Sequence, residues 1–115
     1  MKRALTAAAL VALCATAHAN FKDGNRLLAD LNNSSGSATQ ILPALGLGYI
    51  MGVADAYGGI THCAPENVTA GQIRDMVRNF LENTPAIRHL PANDIVGHVL
   101  KSAWPCAERK KGQGV

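Results

Sequence analysis

The stretch TAGQIRDMVRNFLEN, residues 69–83, reads as an amphipathic helix and organises the rest of the chain. Ile73, Met76, Val77, Phe80 and Leu81 fall at i, i+3, i+4, i+7 and i+8, which places them on one apolar stripe. Thr69 is a suitable N-cap, because its hydroxyl can accept a hydrogen bond from an otherwise unpaired amide of the first turn. Gln72, three residues later, completes a capping box. Arg74, Asp75, Arg78, Asn79 and Glu82 occupy the wet side. Pro85 stops the helix, since a residue before proline avoids the right-handed helical region.

Working outward, Cys63 precedes this helix and Cys106 follows a second one. That second helix spans residues 92–103, with Pro91 near its first turn and Ala92, Ile95, Val96, Val99, Leu100 and Ala103 as its core stripe. A short loop, TPAIRHLP (residues 84–91), joins the two helices, so they are expected to pack antiparallel. The start of the first then lies beside the end of the second, where Cys63 and Cys106 sit. A disulfide between them would staple the open end of a helical hairpin. Closing a loop of about 43 residues contributes roughly 3–4 kcal/mol in the chain-entropy model. A metal site is the alternative use of these thiols; His62 adjoins Cys63, but zinc wants more ligands at close spacing.

The first nineteen residues read as a leader rather than as fold. Lys2 and Arg3 form a basic start, residues 4–15 an apolar run too short to span a bilayer, and Ala17-His18-Ala19 a cleavage site of the small-x-small kind. A membrane anchor and a lipoprotein modified at Cys14 are the alternatives; the length disfavours the first and Leu13, a large residue before the cysteine, the second. Without the leader, 96 of the 115 residues remain, with nine basic against eight acidic side chains. Arg109, Lys110 and Lys111 sit in a polar tail, residues 108–115, so the sequence pI of about 9.0 does not describe a basic face. No basic patch interleaved with aromatics suggests nucleic-acid binding. An exported chain matures where disulfides form, and a domain of this size is marginal on burial alone.

Between the leader and Cys63, residues 20–32 predict a short helix capped by Asp23, with Leu27, Leu28 and Leu31 as its apolar stripe. NNSSGSATQ, residues 32–40, reads as a solvated connection or a recognition loop. Residues 40–58 are apolar on nearly every side and are expected to form a central buried helix, with Pro43 in its first turn. Gly46, Gly48 and Gly52 each cost about 1 kcal/mol there relative to alanine, which suggests close packing against a neighbouring backbone. Asp55 is the one charge inside this helix, either an exposed carboxylate near its end or a buried partner for Tyr49. Gly58 and Gly59 break the helix. The fold expected is all-α, a small domain of four helices over residues 20–107.

Few residues suggest catalysis. There is no glycine-rich phosphate loop, and Ser, His and Asp do not occur in a strand–turn–helix nucleophile context. Asp75, Glu82 and Asp94 look like solvated helix-surface acids. Lone His89 and His98 read as structural or solvent-facing rather than as metal ligands, and no cofactor is implied. A binding or inhibitor protein fits this pattern better than an enzyme.

Three segments carry a resemblance that goes further: GNRLLADL (residues 24–31), GYIMGVADA (residues 48–56) and CAPENVTAGQIRDMVRNFLENTPAIRHLPANDIVGHVLKSAWPC (residues 63–106). Together they resemble the Rap/Tai family, periplasmic immunity proteins paired with amidase toxins of type VI secretion. The motifs are Gly48-Tyr49 with Gly52 and Asp55, Cys63 with Pro65, Val68-Thr69 with Gly71-Gln72, Arg88-His89-Leu90-Pro91-Ala92, and Pro105-Cys106. The resemblance implies a small helical, often dimeric protein that binds a peptidoglycan amidase and blocks its active-site cleft. A second cysteine pair common in the family falls near Leu31 and Leu47 here and is absent.

The resulting expectation is an exported, non-catalytic inhibitor of a cognate peptidoglycan amidase effector, with no stable membrane anchor. Its partner-binding residues are expected at the closed end of the hairpin: Glu82, Asn83, Thr84, Arg88 and His89, of which Arg88 and His89 can donate hydrogen bonds into a cleft. Simple capping and solvation of the loop is the alternative role for these five. The glycine-bearing face of the central helix serves a homodimer as readily as an intrachain neighbour. A periplasmic helical adaptor or chaperone-like protein without a toxin partner is the runner-up function.

Overall fold

The computed structural model describes residues 21–33 and 40–107. The expected leader, residues 34–39 of the polar 32–40 segment and the tail from residue 108 lie outside the described residues. Within them the protein is all-α, with four helices: α1 (Gly24–Asn32), α2 (Ile41–Tyr57), α3 (Ala70–Asn83) and α4 (Ala92–Ala103). A single 3₁₀ turn, Pro85–Ile87, sits in the loop after α3. Every helix packs against the other three.

The helix starts follow their local chemistry. The Asp23 carboxylate accepts from the Arg26 amide at 2.8 Å and caps α1. Thr69 Oγ1 accepts from the Gln72 amide at 3.2 Å, while Gln72 Oε1 accepts from the Thr69 amide at 2.8 Å, so the capping box of α3 is complete. Pro91 stands immediately before α4 and Pro85 just beyond the end of α3.

The core is made by one stripe from each helix. Leu27 and Leu31 come from α1, Ile50 and Ala54 from α2, Ile73, Val77 and Leu81 from α3, and Ala92, Ile95, Val96, Val99 and Leu100 from α4. Met76 and Phe80, on the edge of the α3 stripe, are only partly buried. Ala103, expected in the α4 stripe, is exposed.

The structure corrects the expectation of a central buried helix. α2 buries only Gly46, Ile50 and Ala54, while Ile41 and Leu45 are 60% and 58% exposed. The near-uniform apolar composition carried no orientation, so the core took the one face that met its neighbours. Close packing holds for Gly46 alone of the three glycines: a Cβ there would lie 3.0 Å from Leu31 Cδ2, whereas nothing lies within 4 Å of the corresponding point on Gly48 or Gly52. Asp55 is exposed, as its plainer reading had it.

Cys63 and Cys106 form a disulfide with a Cα–Cα distance of 4.8 Å. The join is reinforced by the backbone: the Cys63 amide donates to the Trp104 carbonyl at 2.8 Å, and His62 bridges to both Gly58 and Pro105. His62 is buried there, and its Nδ1 has no hydrogen-bond partner.

The opposite end is sewn by the chain that precedes α1. The Ala92 amide donates to the Lys22 carbonyl at 2.9 Å, the Gly24 amide to Leu90 at 3.1 Å, and the Asn25 amide to Arg88 at 2.9 Å. Gly24 is buried in this seam, where a Cβ would come within 2.8 Å of the Arg88 carbonyl oxygen and 2.6 Å of Ile95 Cδ1. Side chains lock the same region. The buried Asp30 carboxylate pairs with the Lys22 ammonium and, at 3.2 Å, with Arg26 one turn before it. The Lys22 ammonium also lies 5.5 Å from the centre of the Tyr49 ring.

Candidate binding surface

The last turn of α3 and the loop after it carry the five residues expected to meet a partner, and the structure gives them different work. Arg88 turns inward. Its Nε donates to the Leu81 carbonyl at 2.6 Å and its Nη2 to the Glu82 carbonyl at 2.9 Å, so the guanidinium satisfies two of the open carbonyls at the end of α3. Asn83 Nδ2 donates to the Asn79 carbonyl at 2.9 Å. The Glu82 carboxylate is exposed and accepts from Asn32 Nδ2 at 3.5 Å.

The remaining side chains open to different sides of the molecule. His89 is exposed and, with Phe21, Lys22, Asp23, Arg26 and Pro91, lines a shallow hollow of about 380 Å³ beside the start of α1. Asn83 and Thr84 instead line one end of a groove between α3 and α4, of about 580 Å³, with Met76, Asn79, Phe80, His98, Val99 and Ser102. The five expected residues therefore do not converge on one patch.

The groove continues past Phe80. A smaller hollow of about 280 Å³ is lined by Phe80, Ile87, Leu90, Asp94, Ile95 and His98. A third, of about 370 Å³, runs along α4 between Tyr57 and Lys101 and again includes Asp94 and His98. His98 borders all three, with its ring 5.5 Å from that of Phe80 and tilted by 47°. The sequence reading missed this surface. Asp94, His98 and Lys101 stand at i, i+4 and i+7 and were legible as the polar face of α4. That Phe80 and Met76, on the rim of the α3 stripe, would flank this face was not.

Burial pushes the Tyr49 phenol above its ordinary range; a backbone hydrogen bond from Asn93 pulls the other way, and the negative charge of Asp94 adds to the rise. Among the described residues no group of His, Cys, Asp and Glu could hold a metal ion, and both described thiols are in the disulfide. No described helix is long and apolar enough to cross a membrane. A partly apolar floor with a rim of amides, a carboxylate and imidazole has the character of a protein-binding surface.

A comparison with curated proteins found no match for the sequence. A family model of the Rap1a immunity proteins matches residues 6–106. That span takes in all four helices and both disulfide cysteines, and so this chain belongs to the Rap1a immunity protein family.

Proposed function

We propose that this protein is an exported, non-catalytic immunity protein that binds a type VI secretion peptidoglycan amidase and occludes its active-site cleft. Membership of the immunity family is the observation that carries the reading. The leader-like residues 1–19 direct the chain to the periplasm, where such a toxin meets its wall substrate. Residues 20–107 then form the working domain, and residues 108–115 a polar tail.

Inhibition of this kind needs a rigid body and an exposed contact surface, not reactive groups. The disulfide and the seam at residues 22–25 fix the two ends of the α3/α4 pair. An antiparallel arrangement of that pair accounts for both joins. The effector docks over the closed end, through Glu82, Asn83, Thr84 and His89, and along the groove that Asn83 and Thr84 enter. Arg88 holds the loop in shape for this contact. The open apolar face of α2, with Ile41 and Leu45, serves self-association into a homodimer.

The test is to ask whether a reading frame beside this gene encodes a peptidoglycan amidase and to purify the chain together with that product. A stable complex, loss of peptidoglycan hydrolysis on complex formation, and protection of cells only when residues 1–19 are present are the expected results. An amidase that neither binds nor loses activity would overturn the reading in favour of an adaptor without a toxin partner.

A further inference from the structure

Asp94 stands exposed in the first turn of α4, where a carboxylate is favoured by the helix dipole. That position accounts for an acid but not for what lies beside it. Phe80, Ile87, Leu90 and Ile95 line a hollow of about 280 Å³ against Asp94, and His98 completes the lining. Leu90 is 40% exposed, a large apolar side chain left in water at the mouth. Among the described residues the Asp94 carboxylate accepts one hydrogen bond, from Asn93 Nδ2 at 3.3 Å. The ion pairs formed among the described residues involve Asp30 and Asp75, and none reaches Asp94.

We propose that this hollow takes one arginine side chain of the bound effector, with the guanidinium on Asp94 and its plane against Phe80. The proposal rests on the immunity reading for its partner and goes beyond it in naming the contact. The volume falls just below the range of small-molecule sites, about 300–1,000 Å³, and suits a single side chain. An apolar plug would strip water from the Asp94 carboxylate and return nothing to it. An acidic group would be repelled. A lysine would meet the charge, but its compact, strongly hydrated ammonium makes poor use of a ring face. Arginine is planar, weakly hydrated and bidentate toward carboxylates, and it stacks on aromatic rings, so one residue satisfies both walls.

The direct test titrates the full, disulfide-bonded chain with N-acetyl-leucyl-arginine amide and with its citrulline counterpart, following backbone amide resonances. The arginine peptide should shift Phe80, Asp94 and His98 saturably, and the citrulline peptide should bind about tenfold more weakly, the difference expected for losing a charge-assisted bond. Asp94→Asn should remove that difference. Equal binding of the two peptides, or no shift at these residues, overturns the pocket. A second arm uses whichever amidase the co-purification identifies as the partner: Asp94→Asn should weaken its binding by about tenfold and Asp94→Lys by more. Wild-type affinity in both variants overturns the pocket and leaves the immunity reading standing. An amidase that does not bind the wild-type chain counts against the immunity reading instead, and the peptide titration alone then decides the pocket.

Discussion

A methyl group placed on Gly24 would lie 2.8 Å from the carbonyl oxygen of Arg88, closer than such atoms approach without displacement. Both partners are backbone at this point, and the neighbouring hydrogen bond from Asn25 to the same carbonyl holds them together. Gly24→Ala must therefore push the start of α1 away from the loop. We expect a loss of about 1–3 kcal/mol, the usual cost of overpacking, read as a lower midpoint in denaturant. A wild-type midpoint would show that the seam yields freely.

The disulfide gives a second stability prediction. Cys63 and Cys106 close a loop 43 residues apart in sequence, and serine at both positions should cost roughly 3–4 kcal/mol. Reduction of the native protein should lower the melting temperature in the same way. An unshifted melt would mean that the backbone bond from Cys63 to Trp104 and the packing around His62 suffice to hold that end.

Arg88 and His89 are neighbours with opposite expected effects. Arg88→Ala removes two hydrogen bonds from a charged donor to the end of α3, so it should destabilise the fold by about 1.5–3 kcal/mol. His89→Ala removes an exposed ring, and its stability should stay within about 0.5 kcal/mol of wild type. Affinity for the proposed amidase partner and melting temperature, measured on both variants, separate the roles. If His89→Ala melts normally and binds normally, His89 is no part of the interface.

The Tyr49 phenol is held above its ordinary value by burial. A raised value in the folded state means that the fold favours the neutral phenol. Its contribution is fully present below the unfolded-state value of about 10 and is lost as pH rises through the folded value. The midpoint of unfolding should therefore fall more steeply above about pH 10 in wild type than in Tyr49→Phe. Parallel alkaline profiles for the two proteins would refute this coupling.

The parts of the fold that were legible in the sequence are those decided within a few residues. Thr69 and Gln72 satisfy each other across one turn, and Pro85 and Pro91 act on their immediate neighbours, so α3 and α4 were readable with their ends. The cysteines were readable because Cys63 and Cys106 flank the two helices at ends that a short connecting loop brings together, and a metal site would want more ligands. What stayed hidden depends on long-range placement. Apolar residues all around α2 do not say which side faces the core. Arg88 sits in a polar loop, where its sequence suggests a reaching side chain, yet it folds back onto carbonyls six and seven residues earlier. Asp30 had Arg26 one turn away as a visible partner; its burial and its pairing with Lys22 follow only from the seam. The motifs behind the family resemblance include Thr69, Gln72, Arg88, Pro91 and the cysteines, which hold the scaffold together. They identify the body of the protein more securely than its contact surface.

The seam has a consequence for how the chain reaches its native state. Residues 22–25 find their hydrogen-bonding partners only at residues 88–92, on the far side of three helices. The segment that leads into α1 is thus completed only by the segment between α3 and α4, and this closure must await residues 88–92. Such distant pairing slows closure relative to a purely local helical bundle. A chain halted before residue 88 can pack α1 on α2 and α3 but lacks every backbone partner of the seam, so the start of α1 should be fixed late.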